Sequence, residues 1–144
     1  MGPIVICEPD GEWATLLRRE TWGVRETRSL DECWREVAQA ESPRIVLLDV
    51  RCGSLEALLS GIDQMRSRYP DLLAIAIASE STRLAIWRPL CETGILHAVS
   101  SFRDLPALRG VVCRHIRRFP TLPLSLEERI WNNLPWPSKA SPTP

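Results

Sequence analysis

One acid interrupts an apolar stretch of the chain. In RIVLLDV, residues 44–50, Ile45 to Leu48 and Val50 are apolar on both faces of a predicted strand, and Asp49 lies near its end. A carboxylate is costly to bury without a partner, so an acid at such a place is expected to be paired or functional. Asp49 is therefore either a reactive group or a strand-end cap without chemistry, hydrogen-bonded to backbone amides.

Two further acids, Glu8 and Asp10, follow the first apolar run, PIVIC at residues 3–7. They lie at a predicted strand end, as Asp49 does. They also directly precede a predicted helix, and acids are favoured at helix N-termini. Glu8 and Asp10 are therefore candidates either for binding a ligand at the strand end or for capping the helix that follows.

The elements that must position these acids alternate between strand and helix. The predicted strands cover residues 3–7, 22–28, 44–50, 72–79 and 95–102. The predicted helices cover residues 10–20, 29–40, 54–69, 82–94 and 104–119. Pro89 is expected to kink or shorten the fourth helix.

Apolar central strands joined by helices predict an α/β fold with a doubly wound, five-stranded parallel sheet covered on both faces. Ligand chemistry is then expected at the carboxyl ends of the strands, where all three acids lie.

Composition excludes several classes of protein. The 144 residues suit about one domain, and 18 basic residues balance 18 acidic ones. Without a positive field we expect no nucleic-acid binding, and without a long apolar run we expect no membrane span. Five scattered cysteines without metal-site spacing favour reduced thiols and a cytoplasmic location. Only Cys7 and Cys52 are expected to approach each other, at the strand ends.

The C-terminal part, residues 120–144, differs from the domain at residues 1–119. It holds six of the twelve prolines and is predicted to carry only a short helix near 125–134. The apolar positions of this helix are Leu126, Ile130, Trp131 and Leu134. The segment either folds back onto the domain or binds a partner protein.

Residues 3–119 resemble the receiver domains of response regulators, the CheY-like phosphoacceptor domains of two-component signalling. The resemblance rests on IVICEPD after the first strand, VLLDV at the third, AIAIAS at the fourth and AVSSF after the fifth. It implies a flavodoxin-like sheet with strand order 2-1-3-4-5. In this family an aspartate becomes an acyl phosphate, acids at the first strand help hold Mg²⁺, and a hydroxyl and a lysine contact the phosphoryl oxygens.

The family's positions transfer to this chain as follows. Asp49 matches the phosphoacceptor, and Glu8 matches the first metal-binding acid. The second acid falls on Pro9, which cannot ligate a metal, although Asp10 is one residue away. The positions expected to contact the phosphoryl group or relay the switch are Ala78 or Ser79, His97 and Ser100.

The family's lysine is missing from this domain. Its position falls on Ser100, and the only lysine of the chain, Lys139, lies in the C-terminal part. Loss of one preorganised charge contact typically costs about 2–4 kcal/mol of transition-state stabilisation. The resemblance therefore predicts a stand-alone, degenerate receiver without catalytic residues, and no cofactor or at most weak Mg²⁺ binding by Glu8, Asp10 and Asp49.

The expected function is contact with another signalling protein, a histidine kinase or regulator, in the bacterial cytoplasm. The candidate contact residues are Arg109, Arg114, Arg117 and Arg118 of the last helix and Trp131 of the C-terminal part. The arginine face is also a candidate homodimer surface. Two alternatives are open: a working receiver phosphorylated on Asp49 with Mg²⁺, and a small-ligand binder on the same fold.

Overall fold

The structure is a computed structural model that describes residues 3–95 and 97–119. Its strands are β1 (Ile4–Cys7), β2 (Val24–Thr27), β3 (Ile45–Asp49), β4 (Leu73–Ile77) and β5 (His97–Val99). Its α-helices are α1 (Glu12–Leu17), α2 (Leu30–Gln39), α3 (Leu55–Arg68), α4 (Glu80–Glu92) and α5 (Leu105–Arg118). Single 3₁₀ turns, Val50–Cys52 and Phe102–Asp104, follow β3 and precede α5.

The five strands form one parallel sheet in the order β2-β1-β3-β4-β5. This confirms the predicted fold class and strand order. In the register of the sheet Cys7 pairs with Leu48, and Asp49 pairs with Ile77. The loop after β1, which begins at Glu8, therefore starts beside Asp49 at the carboxyl edge of the sheet.

The core lies on both faces of the sheet because successive side chains of a strand point to opposite faces. Ile4 and Ile6 pack on one side with α1 and α5. Val5 and Cys7 pack on the other side with α2 and α3. Strand β3 is buried along its whole length, which explains its continuous run of apolar side chains.

Two helices depart from the sequence expectation. Helix α1 is shorter than predicted, and Gly11, not Asp10, occupies its N-cap with a φ of 76°. That left-handed conformation suits glycine. Helix α4 runs through Pro89 to Glu92, where a kink or an early end was expected. Proline frees the carbonyl four residues earlier, and this belongs to Ala85, an exposed residue whose carbonyl can meet solvent.

In the described parts of the chain, no helix combines the length and apolar character that crossing a bilayer requires. The predicted helix at 125–134, including Trp131, lies outside the described residues.

Candidate functional site

Asp49 and Arg51 form a close ion pair at the carboxyl edge of the sheet. The Arg51 Nε donates to both carboxylate oxygens of Asp49, at 3.0 and 3.2 Å, and its Nη2 donates to Oδ2 at 2.7 Å. The Arg51 backbone amide donates to Oδ1 at 2.9 Å. The Asp49 side chain is 3% exposed, whereas that of Arg51 is 60% exposed. Asp49 is thus buried with its charge compensated from the solvent side.

The same guanidinium also reaches the loop after β1. Its Nη2 donates to Oδ2 of Asp10 at 3.1 Å, so Arg51 bridges two carboxylates. Its hydrogen bonds with Asp49 and then Asp10 raise the pKa of Arg51 above its ordinary value. Partial burial raises the pKa of Asp10, but hydrogen bonds from the Glu12 amide and Arg51 outweigh this and lower it overall. The sequence shows the charge of Arg51 but not this folded-back side chain.

Glu8 is fully buried and acts as a cap of α1. Its two carboxylate oxygens accept from the Trp13 amide at 3.0 Å and the Ala14 amide at 2.7 Å. Burial raises the pKa of Glu8 above its ordinary value of 4.5, although the two amides act in the opposite direction. This is the capping role that the sequence left open.

The donors expected for Mg²⁺ do not fit a cation in this arrangement. Both oxygens of Glu8 accept backbone amides, both oxygens of Asp49 accept from Arg51, and Arg51 itself puts a positive charge where a cation would lie. Within residues 3–95 and 97–119, no group of three or more His, Cys, Asp or Glu residues is arranged to hold a metal ion. The Arg51 guanidinium satisfies Asp49 and Asp10, and the backbone amides of α1 satisfy Glu8, without a metal.

The predicted hydroxyl positions lie around a cleft of about 430 Å³ that includes Asp49 and Arg51. Ser79 caps α4, because its Oγ accepts from the Thr82 amide at 3.3 Å and donates to the Thr82 hydroxyl at 2.8 Å. Ala78 also lines the cleft and is buried. The Ser100 hydroxyl is buried there without a hydrogen-bond partner among the described residues. The cleft therefore combines hydroxyls and an ion pair with the apolar side chains of Trp13, Ile77 and Phe102.

His97 lies away from Asp49. It is the first residue of β5, it pairs with Ile75 in the middle of β4, and it lines a second cavity with Leu73 and Arg114. Burial and the Arg114 charge lower its pKa. The structure therefore brings Glu8, Asp10, Asp49, Ser79 and Ser100 to the carboxyl edge, whereas His97 lines a different cavity.

The four arginines of the last helix are all exposed but differ in their contacts. Arg109 is paired with Glu20 at 2.5 Å. Arg114 and Arg118 line the cavity that contains His97, and Arg117 is exposed. Of these four arginines, Arg117 alone neither pairs with Glu20 nor lines the cavity that contains His97.

Three of the five cysteines come together: Cys52 approaches Cys7 as predicted, and Cys33 joins them, which was not predicted. Cys7 lies within hydrogen-bonding reach of both Cys33 and Cys52, and all three are free thiols. The hydrogen bond from Cys33 lowers the pKa of Cys7 to about 6, and the same contact together with burial raises the pKa of Cys33. The apolar stripe of α2 carries Cys33 onto the sheet face where Cys7 points, a signal that was present in the sequence.

No family model and no curated protein matches the chain. Several solved structures match the chain. The receiver domain of NtrC4 from Aquifex aeolicus matches with a TM-score of 0.63 at 13% identity, covering 81% of this chain and 98% of that one. NtrX from Brucella abortus, solved with ADP, matches with a TM-score of 0.65 at 16% identity over 81% of this chain. This chain spans only 26% of that NtrX chain.

A response regulator from Burkholderia pseudomallei also matches, with a TM-score of 0.58 at 16% identity, covering 92% of this chain and 82% of that one. That protein was solved with a phosphorylated aspartic acid, a calcium ion and citrate. At these identities the likeness concerns the fold. The protein has the fold of a response-regulator receiver domain, as the sequence predicted.

Proposed function

We propose that the protein is a degenerate receiver-like domain of two-component signalling that acts by binding another protein, without phosphoryl transfer to Asp49. The observation that carries the proposal is the Arg51 guanidinium, which contacts both oxygens of Asp49 and bridges to Asp10. A phosphoacceptor needs a free carboxylate oxygen and a cation beside it. Here the Arg51 guanidinium contacts both carboxylate oxygens of Asp49 and supplies the positive charge beside them.

The remaining site residues support the same proposal. Pro9 stands where the family has its second acid, and Ser100 stands where the family has lysine. Glu8 already accepts two backbone amides of α1. The acids of the carboxyl edge are thus already engaged by Arg51 and by backbone amides, so we propose no enzymatic activity and no required metal.

The partner we propose is a histidine kinase or another regulator, met in the cytoplasm. Arg117 on α5 is our candidate contact residue because it is exposed and has no ion-pair partner among the described residues. Arginine is enriched in protein interfaces. A second copy of this chain is the alternative partner for the same surface.

Calorimetric titration with such a kinase or regulator tests the proposal. Wild type and Asp49→Asn should bind with the same affinity, because the contact does not need a phosphorylated aspartate. Arg117→Glu should weaken binding about tenfold or more, whereas Arg35→Glu, a charge reversal at an exposed site on α2, across the sheet from α5, should not. Binding that requires Asp49 and acetyl phosphate would contradict the proposal.

A further inference from the structure

A second cavity, of about 420 Å³, opens at the amino edge of the sheet, opposite Asp49. We call it the basic groove. Its charged or aromatic lining consists of Arg66, His97, Arg114, His115, Arg118 and Phe119. Among the described residues that line it, none carries a carboxylate. The groove is independent of the carboxyl edge on which the proposed function rests.

The arginines of the basic groove have no ion-pair partner among the described residues. The nearby carboxylate of Asp71 pairs with Arg44 at 3.1 Å and acts on the groove only through His115. Arg114 and Arg118 form no ion pair with any residue in the described part of the chain. Arg66 donates to the carbonyl oxygen of Gly94 at 3.0 Å, and Arg118 lies over the Phe119 ring at 5.6 Å. Clustered positive charge with low-dielectric walls favours an anionic occupant.

The basic groove also has apolar walls. Leu72 and Leu73 at the start of β4 and Val111 of α5 contribute to its lining. A simple inorganic anion would leave these side chains unused. An occupant that fits both properties is a peptide segment with one acidic side chain among apolar ones.

The chain itself carries such a segment, at residues 125–134. In SLEERIWNNL, Glu127 shares one helical stripe with Ile130, Trp131 and Leu134, at spacings of three, four and seven residues. An acid inside an apolar docking stripe is costly unless the opposing surface supplies a cation. The stripe and the groove are therefore complementary in both charge and apolar character.

The position of the groove also favours this occupant. Phe119, which lines the groove, is followed directly by the C-terminal part of the chain. Residues 120–126 span up to roughly 23 Å when extended, which gives the segment ample reach. Tethering raises the effective concentration of a nearby segment to about the millimolar range, an advantage over a free partner.

We propose that residues 125–134 of the chain dock in the basic groove, with Glu127 facing Arg114 and Arg118. The contact covers the apolar walls and neutralises part of the arginine charge.

The two histidines of the chain, His97 and His115, both line the groove, so their ring-proton NMR signals report its occupancy. In the full-length protein, Glu127→Lys should move both signals. Asn132→Lys, which places a lysine on the opposite face of the predicted helix, should leave them in place. Arg114→Glu, which opposes Glu127 with a like charge, should also undock the segment. Arg114→Glu combined with Glu127→Lys should restore docking, read as protection of the Trp131 indole N–H signal from solvent exchange.

Three outcomes would overturn the proposal. The histidine signals of Glu127→Lys could match those of wild type, which would mean that the segment does not occupy the groove. Asn132→Lys could move the signals as much as Glu127→Lys, which would mean an unspecific charge effect. A wild-type spectrum that changes with protein concentration would assign the groove to a second copy of the chain.

Discussion

The guanidinium of Arg51 contacts both carboxylate oxygens of Asp49, with three N···O distances between 2.7 and 3.2 Å. The two residues are only two positions apart, so the turn after β3 delivers the cation directly to the end of the strand. A charged pair with these geometries uses the lone pairs that a nucleophilic aspartate would need. The Asp49 carboxylate therefore serves as the partner of Arg51, and it is not free to act as a nucleophile.

The first prediction concerns the contribution of this pair to stability. Arg51→Ala leaves a buried carboxylate with only the residue 51 amide as donor, so the free energy of unfolding should fall by about 1–2 kcal/mol. This loss of unfolding free energy is small for an ion pair because the Arg51 side chain is largely exposed and solvent screens its charge. Urea unfolding measures it, with Arg19→Ala as an exposed control that should cost less than about 0.5 kcal/mol. Equal effects of the two variants would show that the Arg51 contacts contribute nothing.

The second prediction follows from the buried Glu8. Burial raises its pKa in the folded state above the ordinary 4.5, so the folded protein holds the proton more tightly than the unfolded chain. The stability from this group is fully present below pH 4.5 and is lost as the pH rises through the folded pKa. Glu8→Gln removes that dependence, so its stability relative to wild type should improve from pH 4 to pH 7. Urea unfolding curves that differ by the same amount at every pH would contradict the raised pKa.

The third prediction concerns divalent cations. Because the carboxylates of Glu8 and Asp49 are already engaged, millimolar Mg²⁺ should leave the melting temperature of the wild type unchanged. Differential scanning fluorimetry with Mg²⁺ and with added chelator tests this, and matched ionic strength is the control. A saturable rise with Mg²⁺ that Asp49→Asn abolishes would mean that the ion displaces Arg51.

The fourth prediction separates two serines of the same cleft. Ser79 caps α4, so Ser79→Ala should lower the free energy of unfolding by about 1 kcal/mol. The Ser100 hydroxyl is buried without a partner among the described residues, so Ser100→Ala should be neutral or stabilising by up to about 1 kcal/mol. Thermal unfolding of the two variants provides the comparison. A larger loss for Ser100→Ala than for Ser79→Ala would show that the Ser100 hydroxyl has a partner.

Much of the fold could be predicted from the sequence because it depends on patterns of several residues. The apolar runs of β1, β3 and β4 identified the central strands, and the periodic helices between them required a parallel sheet. Asp49 was recognisable as a site residue because a single acid in a buried apolar strand is expected to lie at the strand end, paired or functional. Even the capping role of Glu8 was among the options that the sequence left open.

The details of the site could not be predicted because they depend on side-chain conformations and local backbone geometry. Arg51 reaches Asp49 and Asp10 only through the 3₁₀ turn after β3, which has no clear signature in the sequence. The left-handed conformation of Gly11 moved the helix start away from Asp10. Likewise, the division of the α5 arginines between Glu20 and the basic groove depends on how α5 packs against its neighbours.

The most direct test of the central claim is intact-mass analysis of the protein after incubation with acetyl phosphate and Mg²⁺, with Asp49→Asn alongside. We expect no gain of mass in either protein, with circular dichroism confirming that both are folded. A gain of one phosphoryl group that is labile to hydroxylamine and absent in Asp49→Asn would contradict it. That result would establish Asp49 as a working phosphoacceptor and Arg51 as a displaceable partner.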